Sequence, residues 1–296
     1  MSSAAPARPL GTAELWLNLL VISALWGASF PLVRAVAGSM PAFALASARA
    51  GLAALAVGLF LWWRGSLAWP RGAMRWHILV VGTLNGWLPN ILTAAALGGI
   101  ESAPAALIQS ATPLLIGLLA LLLLREERPG RAMLAGLLLG SAGIAAIIGP
   151  GALAGRADLI ASLMMLGVAA SYALGTVYVR WAQPPEPALL VVGQQAVALL
   201  VALPLALTFG TAADFAQPAD VWVLLVVLGV LGSAVPLSLF VVLLGRVPAT
   251  QAALVGYLEP LFAIFLAALW LGEAPEPRVL AGGAVVLAGV WLATRR

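Results

Sequence analysis

Long apolar runs alternate with short polar or proline- and glycine-bearing breaks along this chain. The rhythm predicts helices near residues 14–36, 41–63, 76–98, 103–124, 131–149, 157–180, 187–209, 220–244, 248–271 and 277–294. Most of these runs reach or approach the ~20 residues an α-helix needs to cross a bilayer core. The breaks carry turn chemistry: "RGSLAWPRG" after the second run, "REERPG" after the fourth, "GPGALAGRAD" after the fifth, "QPPEP" after the sixth and "TAADFAQPAD" after the seventh. Residues 1–13, rich in Ala, Pro and Ser, read as a disordered tail. The expected fold is an all-α membrane protein of ten transmembrane helices.

Composition strengthens that reading. The 296 residues are 63% hydrophobic and only 9% charged, with a mean hydropathy of +1.07. Soluble domains carry about 25% charged residues, and no polar stretch here is long enough to form one. Cysteine is absent, which removes disulfides, thiolate metal sites and thiol catalysis. The net charge of +4 rests on arginine alone, since there is no lysine. In a membrane chain that excess encodes orientation rather than a nucleic-acid partner. The small residues of "AVAGS" (Ala35–Ser39) resemble a signal-peptidase site. The run before them is long for a signal and carries Arg34 at its end, so a first span is expected instead.

The chain then repeats itself. An offset of 147 residues carries Pro113 onto Pro260, Ala105-Ala106-Leu107 onto Ala252-Ala253-Leu254, Ala120 onto Ala267 and Glu126 onto Glu273. The same offset carries Pro89 onto Pro236, Gly82 onto Gly229 and Arg131 onto Arg278. An offset of 146 carries Arg34 onto Arg180 and Trp26 onto Tyr172. Matching prolines and glycines at matching depth indicate a duplication. The expected organisation is a cytoplasmic tail at 1–13, a first five-helix repeat at 14–149, an external linker at 150–156 and a second repeat at 157–296.

A unit of five helices ends on the side opposite its start, so the second repeat is expected to be inverted. Arg8, Arg64, Arg71, Arg75, Arg125, Arg128, Arg131, Arg180, Arg246, Arg295 and Arg296 fall on one side, against Arg156 and Arg278 on the other. The positive-inside rule then puts both termini in the cytoplasm, and the expected location is a bacterial inner membrane. Inverted repeats are a mark of alternating-access secondary transporters.

Three features carry a family resemblance: the early Trp-Gly of "SALWGASFPLVR" (Ser23–Arg34), the arginine of "SARAGLAAL" (Ser47–Leu55), and two proline-containing helices ending in acids, "REE" and "LWLGE". In these the chain resembles the drug/metabolite transporter superfamily, and within it the EamA-type ten-helix exporters. The resemblance covers the whole chain and is specific for fold, weak for substrate. "LLLLREE" departs from the Leu-Gly-Glu common in the family. What the resemblance implies is a monomer, with a dimer left open. Its first, third, fourth, sixth, eighth and ninth helices would surround a central cavity. It further implies export of small metabolites, amino acids first among them, aromatic or other neutral ones included. A multidrug or cation exporter and a passive channel remain alternatives. A protease or an ATP-driven pump is excluded by the single histidine, His77, and by the lack of a phosphate loop. No cofactor, metal or catalytic residue is expected; the partners are a small-molecule substrate and membrane lipid.

Polar residues inside spans are costly and so become site candidates. Trp26, Asn85, Asn90, Gln109, Thr112, Tyr172, Tyr178 and Tyr257 are expected to bind substrate, with Ser110, Thr176, Gln194, Gln195, Ser233 and Ser238 as further polar positions. Each could equally bridge neighbouring helices. At ~1.5 Å per residue, Trp26 lies about 18 Å from Glu14 and Glu259 about 17 Å from Pro248, near mid-membrane. Glu259 is expected either to pair with Arg49 or to act as the coupling site. Pro31, Pro89, Pro113, Pro236 and Pro260 are expected to bend their helices. Trp16, Trp62, Trp63, Trp76, Trp181 and Trp222 read as interface anchors. Gly136 and Gly140 predict close helix packing, with a subunit contact as the alternative.

Overall fold

The computed structural model describes residues 10–96, 108–124, 128–148, 159–271 and 277–295, and among these the chain is helical with no strand. The helices are α1 (Thr12–Ala37), α2 (Ala42–Trp63), α3 (Ala73–Val81), α4 (Leu88–Ala96), α5 (Thr112–Leu123), α6 (Arg131–Ile148), α7 (Leu159–Ala182), α8 (Pro187–Phe209), α9 (Ala219–Gly229), α10 (Val235–Leu244), α11 (Ala249–Ala252), α12 (Val255–Leu271) and α13 (Pro277–Thr294). A π-helical segment, Gly82–Trp87, joins α3 to α4, and a second, Val230–Ala234, joins α9 to α10. Among the described residues, seven helical stretches are long and apolar enough to cross a membrane, and α5 and α6 are shorter apolar helices.

Helix α1 begins at Thr12, and Leu10 ahead of it is buried. The linker 150–156 with Arg156, and also Arg125, Glu126 and Glu273, lie outside the described residues.

Lipid offers apolar side chains no worse a solvent than another helix does, so packing here depends on close approach rather than on a hydrophobic drive. Leu59, Leu122, Leu163, Leu200 and Leu269 are each more than half exposed, as side chains facing lipid would be. The tightest seam joins α6 to α13. A Cβ added at Gly136 would stand 2.5 Å from the Gly289 carbonyl oxygen, and one at Gly143 would stand 2.8 Å from the Gly282 carbonyl oxygen. The glycine pattern of the fifth predicted helix is therefore used inside the chain, against α13. The other main pairings are reciprocal: α2 lies on α8, α1 on α12 and on α10, and α7 on α5 and on α4.

Polar ties close both ends. Arg246 Nη1 lies 3.0 Å from Glu14 Oε1, Arg180 donates to the Leu244 carbonyl at 2.8 Å, and His77 Nδ1 is 2.8 Å from the Tyr178 hydroxyl. On the opposite side Gln217 donates to the Ser39 carbonyl at 3.0 Å.

Candidate functional site

Both π segments stand just ahead of a proline. A proline lacks the N–H that would bond the carbonyl four residues earlier, so that carbonyl needs another donor. For Pro89 the freed group is the Asn85 carbonyl; Gln194 of α8 approaches it with Nε2 at 3.4 Å. One residue earlier, the Leu84 carbonyl accepts from Ser171 of α7 at 2.6 Å. For Pro236 the freed group is the Gly232 carbonyl, which accepts from Arg49 Nη2 of α2 at 3.0 Å. Arg49 Nε also donates to Ser233 Oγ at 2.6 Å. Arg49 and Gln194 hold matching places on α2 and α8, offset by 145 residues, as Pro89 and Pro236 do by 147.

Arg49 of α2, Tyr172 of α7 and Glu259 of α12 lie within electrostatic range of one another. All three are half-buried. Among the described residues the expected Arg49–Glu259 ion pair is not formed: the hydrogen bonds of Arg49 go to Ser233 and Gly232, and Nη1 makes none there. Glu259 still sits against α1, since a Cβ at Gly27 would meet the Glu259 carbonyl oxygen at 2.7 Å. One residue before that contact, Trp26 is half-buried and tilts against Phe240 with ring centroids 5.3 Å apart.

The remaining candidates divide. Asn85 presses its amide against Gly175 of α7, and its Oδ1 is buried without a partner, as is Gln194 Oε1. Asn90 is exposed and donates to its own helix at the Gly86 carbonyl, 2.9 Å away. Thr112 donates to the Gln109 carbonyl at 2.7 Å, and the Gln109 side chain is half-buried. Tyr178 is not with the central group, because it bonds His77 near the end of α7. Tyr257, expected on a cavity wall, is wholly buried. It accepts from Ser141 and donates to the Leu137 carbonyl, both at 2.8 Å, and so faces α6. Pro113 occupies the first turn of α5, where a missing N–H costs nothing. A turn at Ser110–Ala111 lies just before it. Pro260 is inside α12, and Pro31 lies within α1. Ser233 and Gln194 belong to the site more firmly than their sequence suggested. The signal that could have found them is their spacing from a proline in the neighbouring or paired helix.

Comparison with known proteins agrees with this architecture. The model of the EamA-like transporter family matches twice, over residues 14–149 and 159–295. A curated relative from Streptantibioticus cattleyicolor, named "Probable terminal-alkyne amino-acid exporter", is 39% identical over 71 residues. That match spans 24% of this chain and 24% of the relative. One solved crystal structure shares the fold with a TM-score of 0.79, at 21% identity over 95% of this chain and 96% of its own. At that identity the likeness speaks for the fold alone.

Proposed function

Because the chain belongs to the EamA-like transporter family, and is therefore a multi-pass membrane protein with a two-repeat fold, we propose that it exports small neutral amino acids, aromatic ones included. The route is alternating access through a central cavity in a bacterial inner membrane. The observation that carries this reading is the placement of Arg49, Tyr172 and Glu259, from three helices of both repeats, within electrostatic range of one another. A guanidinium with a donor to spare suits a carboxylate. A nearby carboxylate suits an ammonium group or a transferred proton, and the aromatic rings of Trp26 and Tyr172 suit an apolar side chain. The exporter named among the relatives acts on an amino acid, which supports the same class.

Ten crossings in two inverted five-helix repeats follow if the continuous helical path from Ala73 to Ala96 and the helices α5 and α6 are counted with the seven apolar spans. Two matched π segments and reciprocal contacts between repeats support an internal two-fold axis. An odd number of crossings per repeat then inverts the second. The positive-inside rule favours cytoplasmic termini. A glycine seam already filled by α13 supports a monomer.

The half-buried Glu259 favours one second reading, a multidrug or cation exporter. Uptake into proteoliposomes of neutral amino acids and of cationic dyes, with and without internal substrate, separates the two. Counterflow by amino acids but not by dyes is expected. Dye transport without amino-acid transport overturns the proposal, and transport without counterflow would make the protein a channel.

A further inference from the structure

The break after α2 gathers cations and aromatic rings in one place. Four of the 11 tryptophans fall within residues 62–76 together with Arg64, Arg71 and Arg75, and no acidic residue stands between Glu14 and Glu101. Trp62, Trp63, Trp69 and Trp76 are between 64% and 76% exposed, and the three arginines are exposed as well. Little of this surface is used inside the protein.

Packing fixes the level of this connector. A Cβ added at Gly58 of α2 would lie 3.7 Å from the Val192 side chain of α8, and one at Gly193, the next residue of α8, would lie 2.5 Å from Ile78 of α3. Arg64 follows Gly58 by six residues and Gly72 precedes Ile78 by six, so the connector crosses the start of α8 about 9 Å beyond that level. Positive φ at Gly65 (62°) and Gly72 (52°) turns the chain at either end of it. Its course is tied down, because the Ser66 and Leu67 N–H groups donate to the Leu61 carbonyl at 2.8 and 3.0 Å. Arg75 Nε donates to the Pro70 carbonyl at 2.8 Å. Among the described residues the side chains of Arg64 and Arg71 make no hydrogen bond or ion pair, and Glu186, at the start of α8 and so at the same level, pairs with none of the three arginines. Three exposed cations against one carboxylate call for an anion.

The helix below decides between a soluble anion and a lipid. Leu55, Leu59 and Phe60 of α2 are each more than half exposed and lead, by steps of three or four residues, to Trp62 and Trp63. From Leu55 to Arg64 is about 14 Å at ~1.5 Å per residue, against about 15 Å for one leaflet of the hydrocarbon core. An apolar stripe one leaflet long, topped by tryptophans and then by arginines, has the profile of a phospholipid, from acyl chain through interface to phosphate. The arginine fork matches phosphate oxygens.

We infer that residues 62–76, with the lipid-facing stripe of α2 beneath them, form a binding surface for anionic phospholipid, whose headgroup lies against Arg64, Arg71 and Arg75. The inference is independent of the substrate reading. It holds whether the exported solute is an amino acid or a dye.

The test needs no transport measurement. Because the chain has no cysteine, Ser66→Cys can carry a single bimane fluorophore within the connector. Its quenching by brominated phosphatidylglycerol is compared with that by brominated phosphatidylcholine, in micelles of a neutral detergent. Half-quenching is expected at a mole fraction lower for the anionic lipid by on the order of fivefold or more, since each arginine at an anionic surface contributes about that factor. With Arg64→Gln and Arg71→Gln added, the two lipids quench alike. With Arg128→Gln and Arg131→Gln added instead, in the break before α6, the preference stays. Should the first of these variants not fold, Arg71→Gln alone serves, and the preference then falls at least about twofold. Equal half-points in the labelled parent overturn the surface, as does a preference undiminished in the folded Arg71 variant. Loss of the preference in both double variants makes it an effect of overall charge and overturns the surface too. Loss on adding inorganic phosphate at constant ionic strength assigns the arginines to the free ion and overturns the lipid.

Discussion

Arg49 reaches across from α2 to the carbonyl oxygen of Gly232, 3.0 Å away, and thereby satisfies the backbone group that Pro236 leaves open. The same side chain belongs to the central charged group. One residue thus couples the shape of a helix to the chemistry of the site.

Arg49→Gln tests that coupling. Hydrogen bonds to charged groups contribute about 1.5–3 kcal/mol. Amino-acid uptake into proteoliposomes is therefore expected to fall by on the order of tenfold or more. The folded yield should survive, because a glutamine at the matching position 194 is tolerated in the first repeat. Full uptake in a folded Arg49→Gln protein would separate Arg49 from the substrate.

Glu259 makes no ion pair among the described residues, so its charge is not needed to hold α12 in place. Glu259→Gln is expected to fold with an unfolding midpoint close to that of the unaltered protein. Exchange of internal for external substrate should persist while the response to an imposed pH gradient disappears. A variant that loses the fold instead would make Glu259 a brace.

Tyr257→Phe removes the hydroxyl that links Ser141 and the Leu137 carbonyl. The expected cost is about 1 kcal/mol of stability, within the range of hydrogen bonds between membrane helices. Transport per folded molecule should be unchanged. A drop in substrate affinity with unaltered stability would return Tyr257 to the cavity wall.

Topology is open to a clean chemical probe, because the chain contains no cysteine. Ser66→Cys, in the break after α2, should react with a membrane-impermeant maleimide only in inside-out vesicles. Ser39→Cys, beside Gln217, should react only in right-side-out cells. The reverse pattern at either position would contradict the proposed orientation.

Helix positions were readable from the chain because apolar run length and turn residues report on depth directly. Pro89 and Pro236 were readable as a matched pair, since matched prolines survive in the offset. The π segments around them were not. A π turn is one extra residue in the hydrogen-bond ladder, and nothing in "GTLNGW" or "VLGSA" counts residues per turn. The partner of Arg49 was misjudged for a related reason. Residue spacing leaves free the rotation of one helix against another, and that rotation turned the guanidinium to Ser233. Tyr257 failed in the same way, facing α6 instead of the centre.

The glycine contact between α6 and α13 has a mechanical consequence. With backbone against backbone at Gly136, Gly143, Gly282 and Gly289, neither helix can roll or slide past the other without a collision of main-chain atoms, which no rotamer change relieves. That seam is fixed like the pin of a pair of tongs. Arg49, Tyr172 and Glu259 stand on α2, α7 and α12, none of which forms the pin. Any stroke that alternately uncovers them to the two faces of the membrane has to flex the arms, and the softest joints in those arms are the two π turns.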